Sequence, residues 1–248
     1  MAYIKYEFPL NEKVRTYLRI EHLIQRMHAS ARNLDEKSLL HFFESLFAVA
    51  EVIERGDLRG DLLKDLEKHE KNLVSWSQHP DIDSSAINGL IQQVMNATNN
   101  LTKSGRLGIE LKEDKFLGSI KQRFAIPGGT CCFDLPHLHF WLHTARETQQ
   151  ADIEKWLSYL KTLEQVVGLE LKFVRESGRV QQAIAEGGSF QDATGNTELI
   201  QIQLEQHFKA YPTVSGNKHR FSIRFMQLCP EQGKAACEQD IPFTLVCC

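Results

Sequence analysis

The sequence lacks an apolar run of about 20 residues, the length that a bilayer-spanning helix needs. Its start, MAYIKYEFP, lacks the basic segment and apolar stretch of a signal peptide. It also lacks Gly-x-Gly-x-x-Gly, Walker A and Gly-x-Ser-x-Gly patterns, which would indicate dinucleotide, nucleotide or acyl-transfer chemistry. These absences predict a cytoplasmic protein with no membrane partner and provide no motif that would indicate an enzyme.

Cysteine is scarce, with six among 248 residues, and four of the six form the adjacent pairs Cys131-Cys132 and Cys247-Cys248. Adjacent cysteines are poorly placed to form a disulfide with each other. Without an export signal, reduced thiols are expected. The final pair could be a lipidation signal, but the alternation of residues 241–246 favours a strand that continues to the last residue.

Neither sign of charge dominates, since 29 basic and 32 acidic residues give a net charge of -3. Such a chain has no overall attraction for nucleic acid or anionic lipid, so any electrostatic partner must meet a local patch. The 42% hydrophobic content is enough to bury one large core or two modest ones.

Apolar residues repeat at helical spacing over residues 11–105. Asp35 is a plausible N-cap, Gly56 stands where that helix should stop, and Ser84 is a plausible cap after a stop at His79-Pro80. A second helical pattern covers about 150–176 and has too many apolar residues for one face. This predicts a helix that is buried or covered by a second subunit.

Apolar and polar residues alternate with a period of two in 3–8, 200–204, 220–225 and 241–246, as in half-buried antiparallel strands. These strands come from both ends of the chain, so the helices are inserted between them. The pattern predicts an α+β fold with a helical domain and a small, mostly antiparallel β-sheet domain. We assign 10–105 and 145–178 to the helical domain, and 1–9, 106–144 and 179–248 to the β domain.

Basic residues cluster in two places. Lys218, His219, Arg220 and Arg224 lie within seven positions, and Arg220 and Arg224 face the side opposite Phe221, Ile223 and Phe225. Lys112, Lys115, Lys121 and Arg123 form a second group, before the Pro127-Gly128-Gly129 turn. Arginine suits carboxylate partners, but an ordinary solvated strand face fits the pattern equally well. The solvent-exposed face of this strand has no aromatic side chain on which a base could stack, which argues against nucleic acid as the partner.

Histidine and cysteine cluster in one further segment, which contains Cys131, Cys132, His137, His139 and His143. Two of the histidines together with Asp134 could bind a metal, and Pro136 could begin a short helix capped by Asp134. A Cys-His nucleophilic pair is also formally possible. The alternative hypothesis is therefore a metal- or thiol-dependent enzyme centred on these five residues, although no other cluster has ligand spacing.

Several segments resemble those of the ZapD family of cell division proteins, in the same order along the chain. They are PLNEKVRTYLR at 9–19, ERGDLR at 54–59, DLLKDLE at 61–67, KEDKFL at 112–117, RFAIPGGTCCFDLP at 123–136, HFWLH at 139–143, SGNKHRFSIRF at 215–225 and the terminal Cys-Cys. The resemblance extends over essentially the whole chain.

The resemblance implies a non-enzymatic homodimer that binds the acidic and apolar C-terminal tail of FtsZ, the tubulin-like division GTPase. Such a protein cross-links and bundles FtsZ protofilaments, stabilises the Z-ring at mid-cell and lowers GTP turnover. It needs no cofactor or metal and has no catalytic residue. By position, the resemblance implies a tail-binding site made of two groups of residues: Arg220, Arg224 and Lys218, and Lys115, Lys121 and Arg123.

Overall fold

The computed structural model describes residues 2–78, 84–217 and 219–248, except for the side chains of Ser84 and Ala86. The chain divides into two compact units. The β unit comprises Met1–Thr16 and Leu171–Cys248, and the helical unit comprises Tyr17–Glu170. The α+β prediction, with strands from both ends of the chain around inserted helices, is confirmed.

Nine α-helices occur in the described residues. They are α1 (Glu12–Ala31), α2 (Glu36–Glu54), α3 (Leu58–Ser77), α4 (Ser84–Lys103), α5 (Ile109–Glu113), α6 (Lys115–Phe124), α7 (Pro136–Leu142), α8 (Arg146–Ser158) and α9 (Lys161–Glu176). The division between the units falls within α1 and α9. No helix in the described part of the chain is both long and apolar enough to cross a bilayer.

Local signals set several helix boundaries. The Asp35 carboxylate accepts a hydrogen bond from the Ser38 backbone N–H at 3.0 Å, which confirms the predicted N-cap of α2. That helix ends at Glu54, two residues before Gly56. The expected stop at His79-Pro80 lies outside the described residues, and α4 begins at Ser84 itself.

The apolar segment 150–176 forms two helices, not one. α8 ends at Ser158 and α9 begins at Lys161. Each helix buries a face of its own, with Ile153 and Trp156 in the first and Val166 and Val167 in the second. The segment has more apolar residues than one helix face can hold because it forms two helices. These residues therefore do not need a second subunit to bury them.

Phe43 lies at the centre of an aromatic core in the helical unit. Its ring centroid is 5.3 Å from those of both Trp141 and Trp156, and 5.9 and 6.2 Å from those of Phe124 and Phe116. Aromatic pairs at such separations stabilise a core beyond the area they bury. This core joins α2 to α6, α7 and α8.

The aromatic core corrects one expected boundary. Residues 106–144, which were expected in the β domain, contribute α5, α6 and α7 to the helical unit. The physical reason is that α6 and α7 supply aromatic side chains that complete the packing around Phe43. Pro136 does begin α7, but its N-cap is Leu135, so Asp134 does not have the expected capping role.

The β unit contains eight strands in its described residues, all paired antiparallel. They are β1 (Tyr3–Pro9), β2 (Arg179–Ala185), β3 (Ser189–Ala193), β4 (Leu199–Glu205), β5 (Tyr211–Gly216), β6 (Arg220–Cys229), β7 (Gly233–Ala236) and β8 (Ile241–Cys247). One sheet has the order β1-β4-β8-β2 and the other has the order β3-β6-β5, with β7 also paired to β6. The predicted antiparallel strands at 3–8, 200–204, 220–225 and 241–246 are all present.

The two sheets share one core. Phe243 of β8 lies 5.5 Å from Phe190 of β3 and 5.2 Å from Phe225 of β6, measured between ring centroids. Ile202 of β4 and Ile223 of β6 are fully or almost fully buried in the same cluster. The contacts of Phe243 therefore connect the sheet containing β8 to the sheet containing β6.

Asp114 is a buried polar link within the helical unit, since its side chain is only 5% exposed. It caps α6 by accepting hydrogen bonds from the backbone N–H groups of Phe116 and Leu117, at 3.0 and 3.1 Å. Lys155 and Trp156 of α8 donate to its other oxygen at 2.9 and 3.2 Å. Burial alone would raise the pKa of this carboxyl group, but these donors together lower it below its usual value.

We predict that Asp114→Ala lowers the free energy of unfolding by roughly 1–3 kcal/mol, because it removes a cap and leaves donors unsatisfied. Urea unfolding at pH 7 measures the change. The native pKa is lowered, so the stabilisation by the carboxylate is complete above the unfolded pKa of about 4 and is lost as pH falls through the native value. Asp114→Asn should weaken this acid dependence, whereas Glu113→Gln, a neighbouring exposed control, should not. Equal urea midpoints for Asp114→Ala and the parent protein would contradict the assignment.

Candidate functional site

The candidate site begins with the alternation of β6. Phe221, Ile223 and Phe225 are buried in the core of the β unit, whereas Arg220 and Arg224 are exposed. Side chains along a strand point to opposite faces in turn, so burial of the three apolar residues places both arginines on the outer face. The predicted alternation is confirmed, and the two Cα atoms lie about 13 Å apart along the strand.

The neighbouring strands surround these arginines with small polar side chains. Arg224 is in register with Ser189 of β3 and Thr213 of β5, and Ser222 is in register with Gln191 and Ser215. Paired residues share a face, so these seven positions form one surface, which we call the arginine face. The arginine face comprises Ser189, Gln191, Thr213, Ser215, Arg220, Ser222 and Arg224.

The turn before Arg220 is fixed by Asn217. Its side-chain oxygen accepts hydrogen bonds from the backbone N–H groups of His219 and Arg220, at 2.8 and 3.1 Å. Its carbonyl accepts from the Thr194 hydroxyl at 2.8 Å. These bonds hold the start of β6 against its neighbours. Lys218, a site residue by the resemblance, lies outside the described residues.

Both guanidinium groups are available to a partner. Within the described residues, no carboxylate forms an ion pair with Arg220 or Arg224. Asp192, the single acid of β3, is in register with Phe221, so it lies on the opposite side of the sheet. Hollows of about 350 and 290 Å³ lie beside the two arginines, and Gln191, Ser215 and Ser222 line both. The arginine face thus presents two positive groups above shallow, hydroxyl-lined depressions.

The second basic group lies mainly on α6 of the helical unit, and two of its members already have acidic partners. The Lys121 ammonium is 3.6 Å from a Glu54 oxygen, and an Arg123 nitrogen is 3.5 Å from an Asp134 oxygen. Lys115 is exposed, and in the described part of the chain it has no ion pair. Of the three predicted site residues here, Lys115 therefore has the most accessible charge.

The histidine and cysteine segment has no catalytic arrangement in the described residues. The Ser119 hydroxyl lies 3.0 Å from His137, and His143 donates to the His139 carbonyl at 2.8 Å. Cys131 and Cys132 are exposed free thiols, and no hydrogen bond joins them to these histidines. Across residues 2–78, 84–217 and 219–248, no group of three or more His, Cys, Asp or Glu side chains could hold a metal ion.

Sequence patterns missed several exposed apolar side chains of the helical unit. Trp76 follows Leu73 at helical spacing in α3, yet Leu73 is buried and Trp76 is 53% exposed. Phe133 and Phe140 are 80% and 74% exposed. Large exposed aromatic groups are typical of contact surfaces between proteins. Periodicity could not separate them from core residues, because it indicates a face and not what covers it.

Known proteins resemble this chain over nearly its full length. A family model described as the cell division protein ZapD matches residues 18–224. The ZapD proteins of Pectobacterium carotovorum and Escherichia coli O1:K1 / APEC are 40% and 38% identical over 245 residues, which is 99% of this chain and 97% and 98% of theirs. The ZapD protein of Vibrio atlanticus is 39% identical over 244 residues, 98% of each chain. The chain therefore belongs to the ZapD family of cell division proteins.

Proposed function

We propose that this protein is a non-enzymatic factor that binds the C-terminal tail of FtsZ and cross-links FtsZ protofilaments into bundles. It acts as a homodimer in the cytoplasm at the mid-cell Z-ring, and it needs no cofactor or metal. Bundling stabilises the Z-ring and lowers GTP turnover by FtsZ. The observation that carries the proposal is the pair of guanidinium groups on the arginine face, neither of which forms an ion pair with a carboxylate in the described residues.

The arginine face suits an acidic peptide for electrostatic and geometric reasons. A guanidinium can bind a carboxylate through two parallel hydrogen bonds, and its charge does not titrate near neutral pH. Two such groups about 13 Å apart can hold two carboxylates of one extended or helical segment. The hydroxyl groups of Thr213 and Ser215 can bind further polar groups of the same segment.

Charge alone gives weak attachment, because one exposed ion pair contributes only about 0–1 kcal/mol. An acidic and apolar tail therefore needs an apolar contact as well. Leu228 of β6 is 82% exposed and follows Arg224 at strand spacing, so it is a candidate to provide it. Lys115 on α6 is a candidate for a further ion pair, while Lys121 and Arg123 would first have to release Glu54 and Asp134.

Cross-linking follows from two weak sites on one dimer. When each protomer holds one tail, the second binding event is intramolecular and can raise the apparent affinity by about 10²–10⁴. Filaments also display many tails, so a dimer that loses one contact rebinds before it diffuses away. Contacts that are individually weak can thus hold protofilaments side by side.

We predict that Arg224→Glu abolishes FtsZ bundling, because it replaces attraction for tail carboxylates with repulsion. Sedimentation of polymerised FtsZ at low speed measures the bundled fraction. Arg179→Glu on β2 is a matched control, since it makes the same charge change at an exposed arginine in the other sheet. It should bundle normally, and both variants should unfold within about 0.5 kcal/mol of the parent protein. Normal bundling by Arg224→Glu would exclude the arginine face.

FtsZ without its C-terminal tail should polymerise but fail to bundle with this protein, because the proposed ligand is missing. Light scattering follows bundling, and phosphate release follows GTP turnover, which should no longer fall. Raising the salt concentration should weaken bundling of intact FtsZ, since exposed charges are screened within about 8 Å at physiological ionic strength. Equal bundling of intact and tailless FtsZ would reject the tail as the ligand.

Lys115→Gln and Lys121→Gln should differ in their effects. Lys115 has an accessible charge, so its loss should weaken tail binding about two- to fivefold, equivalent to less than 1 kcal/mol. Lys121 is engaged with Glu54, so its loss should change tail binding less. Fluorescence anisotropy of a labelled tail peptide gives both dissociation constants. A larger effect at Lys121 would show that Glu54 is released when the tail binds.

A further inference from the structure

An apolar pocket of about 340 Å³ lies between α2, α5 and α6 of the helical unit. Its apolar lining consists of Leu46, Phe47, Ala50, Ile53, Leu107, Leu111 and Leu117. Pockets for small molecules begin at about 300 Å³ and are lined mostly by apolar side chains with a few polar groups at the rim. This pocket has that size and composition, and it shares no residue with the arginine face.

Gly118 lines the pocket from the middle of α6. Glycine inside a helix is less favourable than alanine by roughly 0.5–1 kcal/mol, so its presence there is usually tied to packing or close approach. Here a Cβ atom would meet nothing within 4 Å, and the backbone does not have a positive φ. Neither the fold nor the packing of α6 therefore requires glycine at this position. Open space therefore lies beside Gly118 at this edge of the pocket.

The rim of the pocket is positively charged. Lys112 and Lys121 lie on it with Gln122 and one acid, Glu54. Lys112 is exposed and has no ion pair within the described residues. A second hollow of about 380 Å³ adjoins the pocket and shares Ile53, Glu54 and Leu107 with it. It adds two bases, Arg59 and Arg106, and one acid, Asp57. The charge around the apolar volume thus favours an anionic group.

We propose that this pocket binds a small anionic amphiphile, with its apolar body among the leucines and its anionic group at Lys112 and at Lys121, which releases Glu54 when the anion binds. The apolar volume accounts for the body, and the surplus of positive rim charge accounts for the anion. The pocket shares no residue with the arginine face, but it shares Lys121 with the second basic group, so Gly118→Leu rather than a lysine variant separates pocket occupancy from FtsZ bundling.

Decanoate below its micellar concentration is the probe, and isothermal titration calorimetry on the full chain measures its binding. We expect one site per chain. Octanoate, which is two methylenes shorter, should bind more than tenfold more weakly, since each buried methylene changes affinity about fourfold. Stoichiometry well above one, or equal affinity for the two acids, would overturn the proposal because it would indicate nonspecific adsorption.

Gly118→Leu should reduce decanoate affinity at least tenfold by filling the pocket. Gly168→Leu in α9 is the matched control, because its Cβ position is equally open and it does not line the pocket. It should bind decanoate like the parent protein, and thermal unfolding should show that both variants are folded. Equal loss in both variants, or in neither, would refute the assignment.

The combined variant Lys112→Gln and Lys121→Gln should lower the affinity for decanoate several-fold and leave the affinity for 1-decanol unchanged. Only the carboxylate interacts with the positive charge at the rim. Equal effects on the two ligands would overturn the role given to the lysines.

Gly118→Leu should bundle FtsZ normally. If it binds decanoate poorly and also loses bundling while Arg179→Glu bundles, the pocket belongs to a segment of FtsZ, and the small-molecule proposal is rejected.

Discussion

The alternation of β6 is the constraint on which the arginine face depends. Burial of Phe221, Ile223 and Phe225 contributes roughly 1.5–3 kcal/mol for each side chain, far more than an exposed ion pair. A slip of one residue would expose all three and bury two guanidinium groups. The orientation of Arg220 and Arg224 is therefore a consequence of core packing and needs no contact of their own to maintain it.

In the helical unit, sequence patterns predicted local structure but not tertiary contacts. The N-cap of α2 was predictable because Asp35 and Ser38 are three residues apart and their interaction is local. The assignment of residues 106–144 to the helical unit was not predictable from the sequence. It depends on tertiary contacts between Phe43 and the aromatic side chains of α6 and α7. Periodicity identified a short apolar helix there but could not specify the surface that it covers.

The same distinction separates the two basic groups. Arg220 and Arg224 were identified from a strand pattern in which alternation with apolar residues shows that both side chains lie on the outer face. Lys121 and Arg123 looked equally available in the sequence, but Glu54 and Asp134 lie beside them in the folded chain. Pairings across an intervening turn or between distant segments follow from tertiary structure. A count of basic residues therefore overstated the accessible charge of α6.

The topology of the β unit has a consequence for the order of folding during synthesis. β8, made of residues 241–247, lies between β4 and β2, and β1 reaches that sheet only through β4. The helical unit, Tyr17–Glu170, is continuous in sequence and leaves the ribosome earlier. Domains that are continuous in sequence can fold as they emerge. The first strand must therefore wait, unpaired, through the synthesis of the entire helical unit, so a chaperone that shields Tyr3–Pro9 would act in that interval.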